Sequence, residues 1–264
     1  MEQITSRANP LCAHLRKLAS SRAYREETGE FLCDSPKLLS EAELWGFGIT
    51  TLLYTSGAAL EYAPETYGAA RTVLVSESVM RAVSPMETPQ GVVFTCRAMG
   101  HRPPETLTPD KYGRSRYLLL DGVQDPGNVG TMLRTADAFG WTVFLLPGCA
   151  DVYNPKTLRA AMGVHFRSVI YRDTLEHAAA LLHAAGLPLY AAALGEDTAD
   201  VRTLDLRRCA VIVGSEGRGV SAEALALCDR RLKIPMDRTC ESLNAAAAAA
   251  VLLWEGARQE GAEE

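Results

Sequence analysis

The chain has 264 residues, 27 basic against 32 acidic side chains, a net charge of −5 and 47% hydrophobic residues. These ordinary globular values exclude a wholly disordered chain and a small disulfide-stapled scaffold, and they fit one large domain or two smaller ones. The acidic balance argues at first against a nucleic-acid partner, because proteins that bind phosphates usually carry a basic surface. The apolar runs fall far short of the roughly 20 residues of a membrane span, and the N-terminus lacks the apolar core of a signal peptide.

The first 97 residues alternate helix signals with short apolar strands. Asn9 before Pro10 predicts one helix start, and Ser35 before Pro36 predicts another, in a helix that ends at Gly46. Residues 1–97 are therefore expected to form a small α/β domain. Its predicted strands cover residues 29–33, 49–55, 72–75 and 92–96.

A stretch rich in proline and glycine follows, and we interpret residues 98–115 as a linker. Beyond it, residues 116–264 alternate apolar runs with helical patterns, which predicts a doubly wound α/β domain with a mostly parallel sheet. The predicted strands cover residues 117–123, 143–147, 187–194, 209–214 and 232–235, and the helices 130–139, 155–162, 175–185, 222–228 and 242–258.

The seven cysteines are odd in number, and none forms a Cys-x-x-Cys pair or stands at zinc-ligand spacing from a histidine. Most lie in apolar stretches, which indicates reduced, buried thiols in a cytoplasmic protein. No metal site is predicted.

Three loops after predicted strands combine glycines with polar residues, at the sheet edge where α/β proteins bind ligands. In the first loop, Asn128 is a candidate helix cap, and Arg134 either grips a phosphate or lies on a solvated helix face. In the second, the glycine spacing matches neither the dinucleotide nor the phosphate-loop pattern. Glu216 in that loop suits a cationic, hydroxyl or amino partner, or is simply an exposed acid on a glycine turn.

The third loop leads into six consecutive alanines, the best helix formers. Ser242 or Glu241 is a candidate cap for this helix, with Asn244 in its first turn. A plain buried helix explains the alanines but not the polar residues ahead of them.

In this order, the three segments resemble the signature motifs of the SpoU (TrmH-type) RNA methyltransferases of the SPOUT class. The first reads Asn-Val-Gly-Thr-Met-Leu-Arg-Thr-Ala over residues 128–136, and the second Val-Gly-Ser-Glu-Gly-Arg-Gly-Val over residues 213–220. The third reads Ile-Pro-Met at residues 234–236, then Glu-Ser-Leu-Asn and the alanines. The resemblance covers roughly residues 116–258, and residues 30–46 and 88–92 more loosely resemble the family's substrate-binding domain.

The resemblance implies an RNA substrate-binding domain over residues 1–97, akin to certain ribosomal proteins, and a methyltransferase domain over residues 116–264. The sheet of the second domain would end in a deep trefoil knot, and two copies would pair as a homodimer. The implied reaction is S-adenosylmethionine-dependent methyl transfer to a ribose 2′-hydroxyl of RNA, with ribosomal RNA favoured over tRNA and with no membrane or metal involved. The implied catalytic residues are Asn128, Arg134, Glu216, Ser242 and Asn244. The implied cofactor contacts are Leu194, Gly195, Gly214, Ile234, Met236 and Leu243.

A ribose 2′-hydroxyl must lose its proton as it attacks a methyl group. Arg134 matches the family's catalytic arginine, but a guanidinium keeps its proton at physiological pH and is a poor base. We expect Arg134 to grip the adjacent phosphate and stabilise the developing 2′-oxyanion, while a phosphate oxygen or water takes the proton. Glu216 and Asn128 would then orient Arg134 or the ribose, within one protomer or across the dimer.

Two rival functions remain open at this point. One is a base-modifying SPOUT methyltransferase, although the motifs favour ribose. The other is a non-catalytic RNA-binding or ribosome-assembly protein that retains the fold, although Arg134 and Asn244 are both present. A dehydrogenase is disfavoured by the absent glycine fingerprint.

The distribution of charge along the chain removes the argument that the acidic net charge made against a nucleic-acid partner. Residues 1–117 carry 13 basic and 13 acidic side chains, so the acidic excess lies wholly in residues 118–264. The first 25 residues hold five basic groups against one acid. We therefore predict that RNA is bound near the N-terminal helix and at Arg134. The predicted RNA-binding residues are Arg16, Lys17, Arg22, Arg25 and Arg134.

Overall fold

The computed structural model describes residues 2–110, 112–195, 197–237, 239 and 241–260. Contacts divide the chain into a first unit, residues 1–100 with 151–167, and a second unit, residues 101–150 with 168–264. The strands are β1 (Glu2–Ile4), β2 (Glu30–Cys33), β3 (Ile49–Tyr54), β4 (Arg71–Val75), β5 (Val92–Arg97), β6 (Ser115–Asp121), β7 (Thr142–Leu145), β8 (Ile170–Arg172), β9 (Leu189–Ala192), β10 (Ala199–Asp200), β11 (Arg208–Gly214) and β12 (Arg230–Lys233). The helices are α1 (Pro10–Ser20), α2 (Arg22–Thr28), α3 (Pro36–Leu44), α4 (Glu77–Val83), α5 (Pro126–Ala138), α6 (Pro155–Ala161), α7 (Leu175–Ala184), α8 (Ala222–Leu227) and α9 (Ala245–Glu260).

The first unit is built on a five-stranded mixed sheet in the order β1-β4-β3-β5-β2. Strands β1, β4 and β3 run parallel, and β5 pairs antiparallel with β3 and β2. The two predicted helix starts are confirmed, because Oδ1 of Asn9 accepts the N–H of Leu11 at 2.9 Å and Oγ of Ser35 accepts the N–H of Leu38 at 3.3 Å. Each cap satisfies a backbone donor that the helix leaves open.

Residues 151–167 belong to the first unit, although the predicted boundaries assign them to the methyltransferase domain. Phe31 is fully buried and stacks on Tyr153, with ring centroids 4.4 Å apart. A guanidinium nitrogen of Arg159 lies 2.6 Å from the buried carboxylate of Asp34. Burial raises the pKa of Asp34, and the Arg159 charge partly offsets that rise. Packing of this kind is not visible in a linear sequence.

Arg25 also joins this packing, which corrects its predicted role. Its side chain is only 4% exposed, and it lies 2.7 Å from the carboxylate of Asp151. Its guanidinium also donates to the carbonyl of Leu18 at 2.5 Å. The charge of Arg25 is therefore paired inside the first unit, where RNA cannot reach it.

The second unit is built on a seven-stranded sheet in the order β10-β12-β9-β11-β6-β7-β8, with every pair parallel. The central strands β11 and β6 are almost wholly buried, as expected for a sheet covered on both faces. Since all strands run in one direction, the loops after β6, β9, β11 and β12 meet at one edge of the sheet. This edge carries the three motifs.

Several boundaries differ from the sequence prediction for physical reasons. Strand β6 begins inside the predicted linker, because the charged Arg116 is buried against the carboxylate of Glu260 at 2.8 Å and the ring of Trp141. Strands β1, β8 and β10 have two or three residues each, too few to show a pattern. Helix α2 is a single short segment of seven residues that the sequence analysis missed.

Three further features concern the described part of the chain. Among the described helices, none combines the length and apolarity that a membrane crossing requires. Within the described residues, no cluster of three or more His, Cys, Asp and Glu side chains could hold a metal ion. The six cysteines in the described chain are free thiols, five of them buried, and the seventh, Cys240, lies outside it. Burial raises the pKa of Cys149 to about 11, which keeps that thiol protonated at neutral pH.

Candidate functional site

The first and third loops place their asparagines differently from the prediction. Helix α5 is capped by Asp125, whose carboxylate accepts the N–H of Asn128 at 2.9 Å. Asn128 itself lies in the first turn, with its side chain free to point outward. Helix α9 begins after Asn244, whose Oδ1 accepts the N–H groups of Ala246 at 3.0 Å and Ala247 at 3.2 Å. Asn244, rather than Ser242 or Glu241, therefore caps the alanine helix.

The second loop is a tight turn fixed by glycines. A Cβ on Gly214 would lie 1.9 Å from the carbonyl oxygen of Gly219, so this position can hold only glycine. Gly219 has a φ of +68° and donates its N–H to the carbonyl of Ser215 at 2.9 Å. The turn thereby holds Glu216 at its exposed tip.

One hydrogen-bonded chain joins the three loops. Nδ2 of Asn244 donates to Oδ1 of Asn128 at 3.3 Å, and Nδ2 of Asn128 donates to Oε1 of Glu216. Glu216 lies 88 positions after Asn128 in the sequence, and Asn244 lies 116 positions after it. Because an amide must donate from nitrogen and accept on oxygen, this chain fixes the orientation of Asn128 and presents Glu216 as an acceptor. No other hydrogen bond of this carboxylate is found among the described residues, so its second oxygen can accept one from a partner.

A cavity of about 440 Å³ adjoins this chain, lined by the ends of β9, β11 and β12 and by the start of α9. The volume is within the usual range for a small-molecule site. Five predicted cofactor contacts line it, and the predicted catalytic residues Glu216 and Ser242 do so as well. The five are Leu194, Gly214, Ile234, Met236 and Leu243. Gly195, the sixth predicted contact, follows Leu194 but is not part of the lining.

Sequence reasoning missed other lining residues. Ala245, Ala248 and Leu252 form one face of α9 toward the cavity, at the spacing i, i+3, i+7. The run of alanines was the available signal, because small side chains leave room for a ligand at a helix face. Arg218 and Lys233 also line the cavity, and they add two cations to its polar groups.

Arg134 stands apart from the hydrogen-bonded chain. It is exposed on α5, six positions after Asn128, which places the two side chains about 120° apart around the helix. Within the described residues no hydrogen bond or ion pair of its side chain is found. Arg134 therefore presents an unpaired guanidinium to whatever approaches that face of α5.

The predicted RNA-binding residues near the N-terminus divide into two groups. Arg16 and Arg22 are exposed, with Arg22 paired to Glu26 at 2.9 Å. Lys17 is also exposed and lies over the ring of Tyr24, 5.3 Å from its centroid. These three exposed side chains can contact a phosphate without a change in the fold, whereas the buried Arg25 cannot.

Two family models match this chain, one over residues 9–93 and the other over residues 115–254. The family model described as "SpoU rRNA Methylase family" matches residues 115–254, and that described as "MRM3-like substrate binding domain" matches residues 9–93. The chain is 36% identical over 255 residues to the 23S rRNA (guanosine(2553)-2′-O)-methyltransferase RlmP of Bacillus subtilis (strain 168), covering 96% of this chain and 98% of that protein.

Two further relatives are similar over nearly their whole length. The 23S rRNA (uridine(2479)-2′-O)-methyltransferase of Streptomyces viridochromogenes is 32% identical, with 97% of this chain and 92% of that protein covered. The crystal structure of an AdoMet-bound rRNA methyltransferase from Sinorhizobium meliloti superposes with a TM-score of 0.85 at 29% identity, covering 98% of each chain. The similarity therefore extends through both units.

Proposed function

Because this chain belongs to the SpoU methylase family and is an S-adenosylmethionine-dependent RNA 2′-O-methyltransferase, we propose that it modifies a ribose of large-subunit ribosomal RNA in the cytoplasm. The observation that carries the proposal is the chain Asn244–Asn128–Glu216, which unites all three motifs beside one cavity. The preference for ribosomal RNA rests on relatives that are similar over both units and are named for 23S rRNA.

The cavity suits the cofactor in size and in chemistry. The Gly214 position is filled by the backbone of Gly219, so the wall there consists of peptide groups and leaves no space for a side chain. Leu232 and Leu252 add apolar surface to the walls, and Arg218 and Lys233 add two cations. When bound, S-adenosylmethionine supplies an electrophilic methyl group on a cationic sulfonium. We assign Leu194, Gly214, Ile234, Met236 and Leu243 as the residues that hold it, with Gly195 as a support for the loop.

Glu216 is the group that we assign to the reacting ribose. A carboxylate accepts hydrogen bonds, so Glu216 can accept one from a ribose hydroxyl and fix its direction. Asn128 and Asn244 hold that carboxylate in place before substrate arrives, and such preorganisation lowers the barrier because the groups need not reorganise during reaction. Ser242 adds a hydroxyl on the same cavity wall.

Arg134 is the group that we assign to the phosphate and to the developing 2′-oxyanion. A guanidinium can bond two oxygens at once, and its permanent charge favours the anion that forms as the hydroxyl loses its proton. That proton passes to a phosphate oxygen or to water. Since Arg134 lies about 120° around α5 from Asn128 and outside the hydrogen-bonded chain, we propose that it completes the site of the partner protomer in a homodimer.

The dimer would use helix α9, which packs against α5. Val251 is 40% exposed and Trp254 is 50% exposed, one turn apart on the outer face of α9. Large apolar side chains at this spacing favour a protein partner over water. A dimer through this face would be measured as doubled mass in sedimentation equilibrium, and Trp254→Lys would weaken it.

The function is tested by incubating the full-length protein with methyl-labelled cofactor and protein-free 23S rRNA or tRNA, then digesting the RNA to nucleosides for mass spectrometry. We expect a 2′-O-methylated nucleoside from 23S rRNA. A label on a base would favour the base-modifying rival. No label together with retained RNA binding and no cofactor binding in calorimetry would favour the non-catalytic rival. Glu216→Gln is the site variant, and Arg208→Ala, at the opposite end of β11, is the control.

A further inference from the structure

The turn that carries Glu216 is held at both of its ends by one residue of the neighbouring strand. Asp121 is the last residue of β6, and in the parallel ladder it lies opposite Gly214, the last residue of β11. Its carboxylate also accepts the N–H of Ser221, which follows the turn, at 2.7 Å. The backbone of Asp121 therefore adjoins the start of the turn, and its side chain holds the end.

Ser221 needs an acceptor for its N–H because it caps a helix. Its Oγ accepts the N–H of Ala224 at 3.2 Å, and its carbonyl accepts the N–H of Leu225 at 2.9 Å, so α8 starts from this residue. The N–H of a capping residue lies outside the helix and finds no acceptor within it. The half-buried carboxylate of Asp121 supplies that acceptor from another strand, 100 positions away in the sequence. The start of α8 is thereby fixed relative to the end of β6.

The turn between these two ends has little freedom. Gly219 donates its N–H to the carbonyl of Ser215 at 2.9 Å, and the two residues form an isolated antiparallel bridge. Val220, which joins the bridge to Ser221, is only 7% exposed and lines the cofactor cavity. Because the ends are fixed and the middle is bridged, the position of Glu216 at the tip depends on where Ser221 is held.

The loop after β6 also positions the residue that Glu216 bonds. Asp125, four residues after Asp121, caps α5 and accepts the N–H of Asn128 at 2.9 Å. Asp121 holds the turn of Glu216 from the other end of the same loop. One short loop thus sets the positions of both groups in the hydrogen bond between Asn128 and Glu216.

We propose that Asp121 is a positioning residue for methyl transfer, which keeps Glu216 in the direction that the ribose requires through its hydrogen bond to Ser221. Asp121 is not among the described residues that line the cofactor cavity, so it acts through the turn. A displacement of about 1 Å between reacting groups can slow a reaction by about 100-fold. The inference rests on the role of Glu216 that is stated under the proposed function.

The test compares variants of the full-length protein in single-turnover assays with 23S rRNA at saturating S-adenosylmethionine, so that the rate reports the reaction and not cofactor binding. Asp121→Ala should slow methyl transfer by about 10- to 100-fold, the value of one hydrogen bond to a charged group. Asp121→Asn keeps an oxygen that accepts the N–H of Ser221, and it should restore the rate to within about 3-fold of wild type.

Asp229→Ala is the matched control. The carboxylate of Asp229 accepts the N–H of Leu189 at 2.7 Å, the same kind of bond at the same length, at the amino end of β9 and therefore at the opposite edge of the sheet. It also bonds His183 at 3.2 Å, so its loss should disturb the fold at least as much. We expect Asp229→Ala to lower the unfolding temperature and to keep the wild-type rate. An equal loss of rate in Asp229→Ala and Asp121→Ala would leave Asp121 with a structural role only and would overturn the proposal.

Two further results would also overturn the proposal. One is a wild-type rate in Asp121→Ala. The other is an unrestored rate in Asp121→Asn, because the charge and not the hydrogen bond would then be required. Hydrogen–deuterium exchange reads the contact without the reaction, and the amide of Ser221 should exchange about 10-fold faster in Asp121→Ala than in wild type. Unchanged exchange would refute the hold of Asp121 on the turn. Faster exchange in a protein whose wild type methylates no RNA would refute the proposed function and leave that hold established.

Discussion

The buried ion pairs of the first unit and the hydrogen-bonded chain of the second unit use polar side chains in opposite ways. In the first unit, Arg25 and Asp151 form a buried ion pair with side chains 4% and 8% exposed, and Asp34 pairs with Arg159 nearby. In the second, Asn128, Glu216 and Asn244 form a chain of hydrogen bonds at the protein surface. The buried pairs meet their charge partners inside the protein, although one carboxylate oxygen of Asp34 has no hydrogen-bond partner among the described residues, whereas Glu216 and Arg134 leave bonding capacity toward solvent.

The buried pairs therefore act on the stability of the fold, and the exposed chain acts on the reaction. A buried charge contributes only through its partner, and removing one member leaves the other uncompensated. An exposed network is of little value to folding, since water can replace its bonds. Its value lies in the fixed direction that it gives to a group that meets the substrate. Four measurements test whether the two units differ in this way.

The largest effect is expected at the buried pair. Arg25→Met should lower the free energy of unfolding by about 3 to 5 kcal/mol, because Asp151 is then left buried without its partner. The double variant Arg25→Met/Asp151→Leu should recover most of that loss. Chemical denaturation followed by circular dichroism measures both. Arg22→Met, at a side chain that is 46% exposed, is the control and should change stability by no more than about 0.5 kcal/mol.

The next effect is catalytic. Arg134→Ala should reduce methyl transfer by about 100- to 1000-fold, the usual loss when a group that stabilises an oxyanion is removed. Thermal unfolding and cofactor affinity should stay unchanged, because the side chain has no partner among the described residues. Single-turnover assays with labelled cofactor measure the rate. Near-normal transfer by this variant would refute the assigned role.

A smaller effect is expected within the hydrogen-bonded chain. Asn128→Ala and Asn244→Ala should each slow transfer by about 10- to 100-fold, because Glu216 loses its fixed direction. Since the two act through one chain, the double variant should be much less impaired than the product of the single losses. Independent, multiplicative losses would show that the chain does not work as a unit.

The smallest effect concerns the exposed cations of the N-terminal helices. Reversing the charge of Arg16, Lys17 and Arg22 should weaken RNA binding and flatten its dependence on salt, by about 0.7 in logarithmic slope for each phosphate that is no longer neutralised. Cofactor affinity should not change. Binding titrations over a range of salt concentrations measure the slope. An unchanged slope would remove these side chains from the RNA interface.

Sequence alone predicted the features that depend on local spacing. The caps at Asn9 and Ser35, the parallel sheet of the second unit and the grouping of three motif loops were all accessible, because capping and strand direction follow from short patterns. The burial of Arg25 could not be predicted from the sequence, since its partner Asp151 lies 126 positions away. The close approach of Gly91 to Thr55 was also hidden from the sequence, because the two residues are 36 positions apart.

The membership of residues 151–167 in the first unit affects how the chain matures on the ribosome. Phe31 emerges early, but Tyr153 and Phe166, the rings that stack on it, are made much later. At about 5 to 20 residues per second, the nascent first unit waits several seconds with part of its core uncovered. Strands β6 and β7 are synthesised during that wait. The first unit can therefore not be completed before the synthesis of the second has begun.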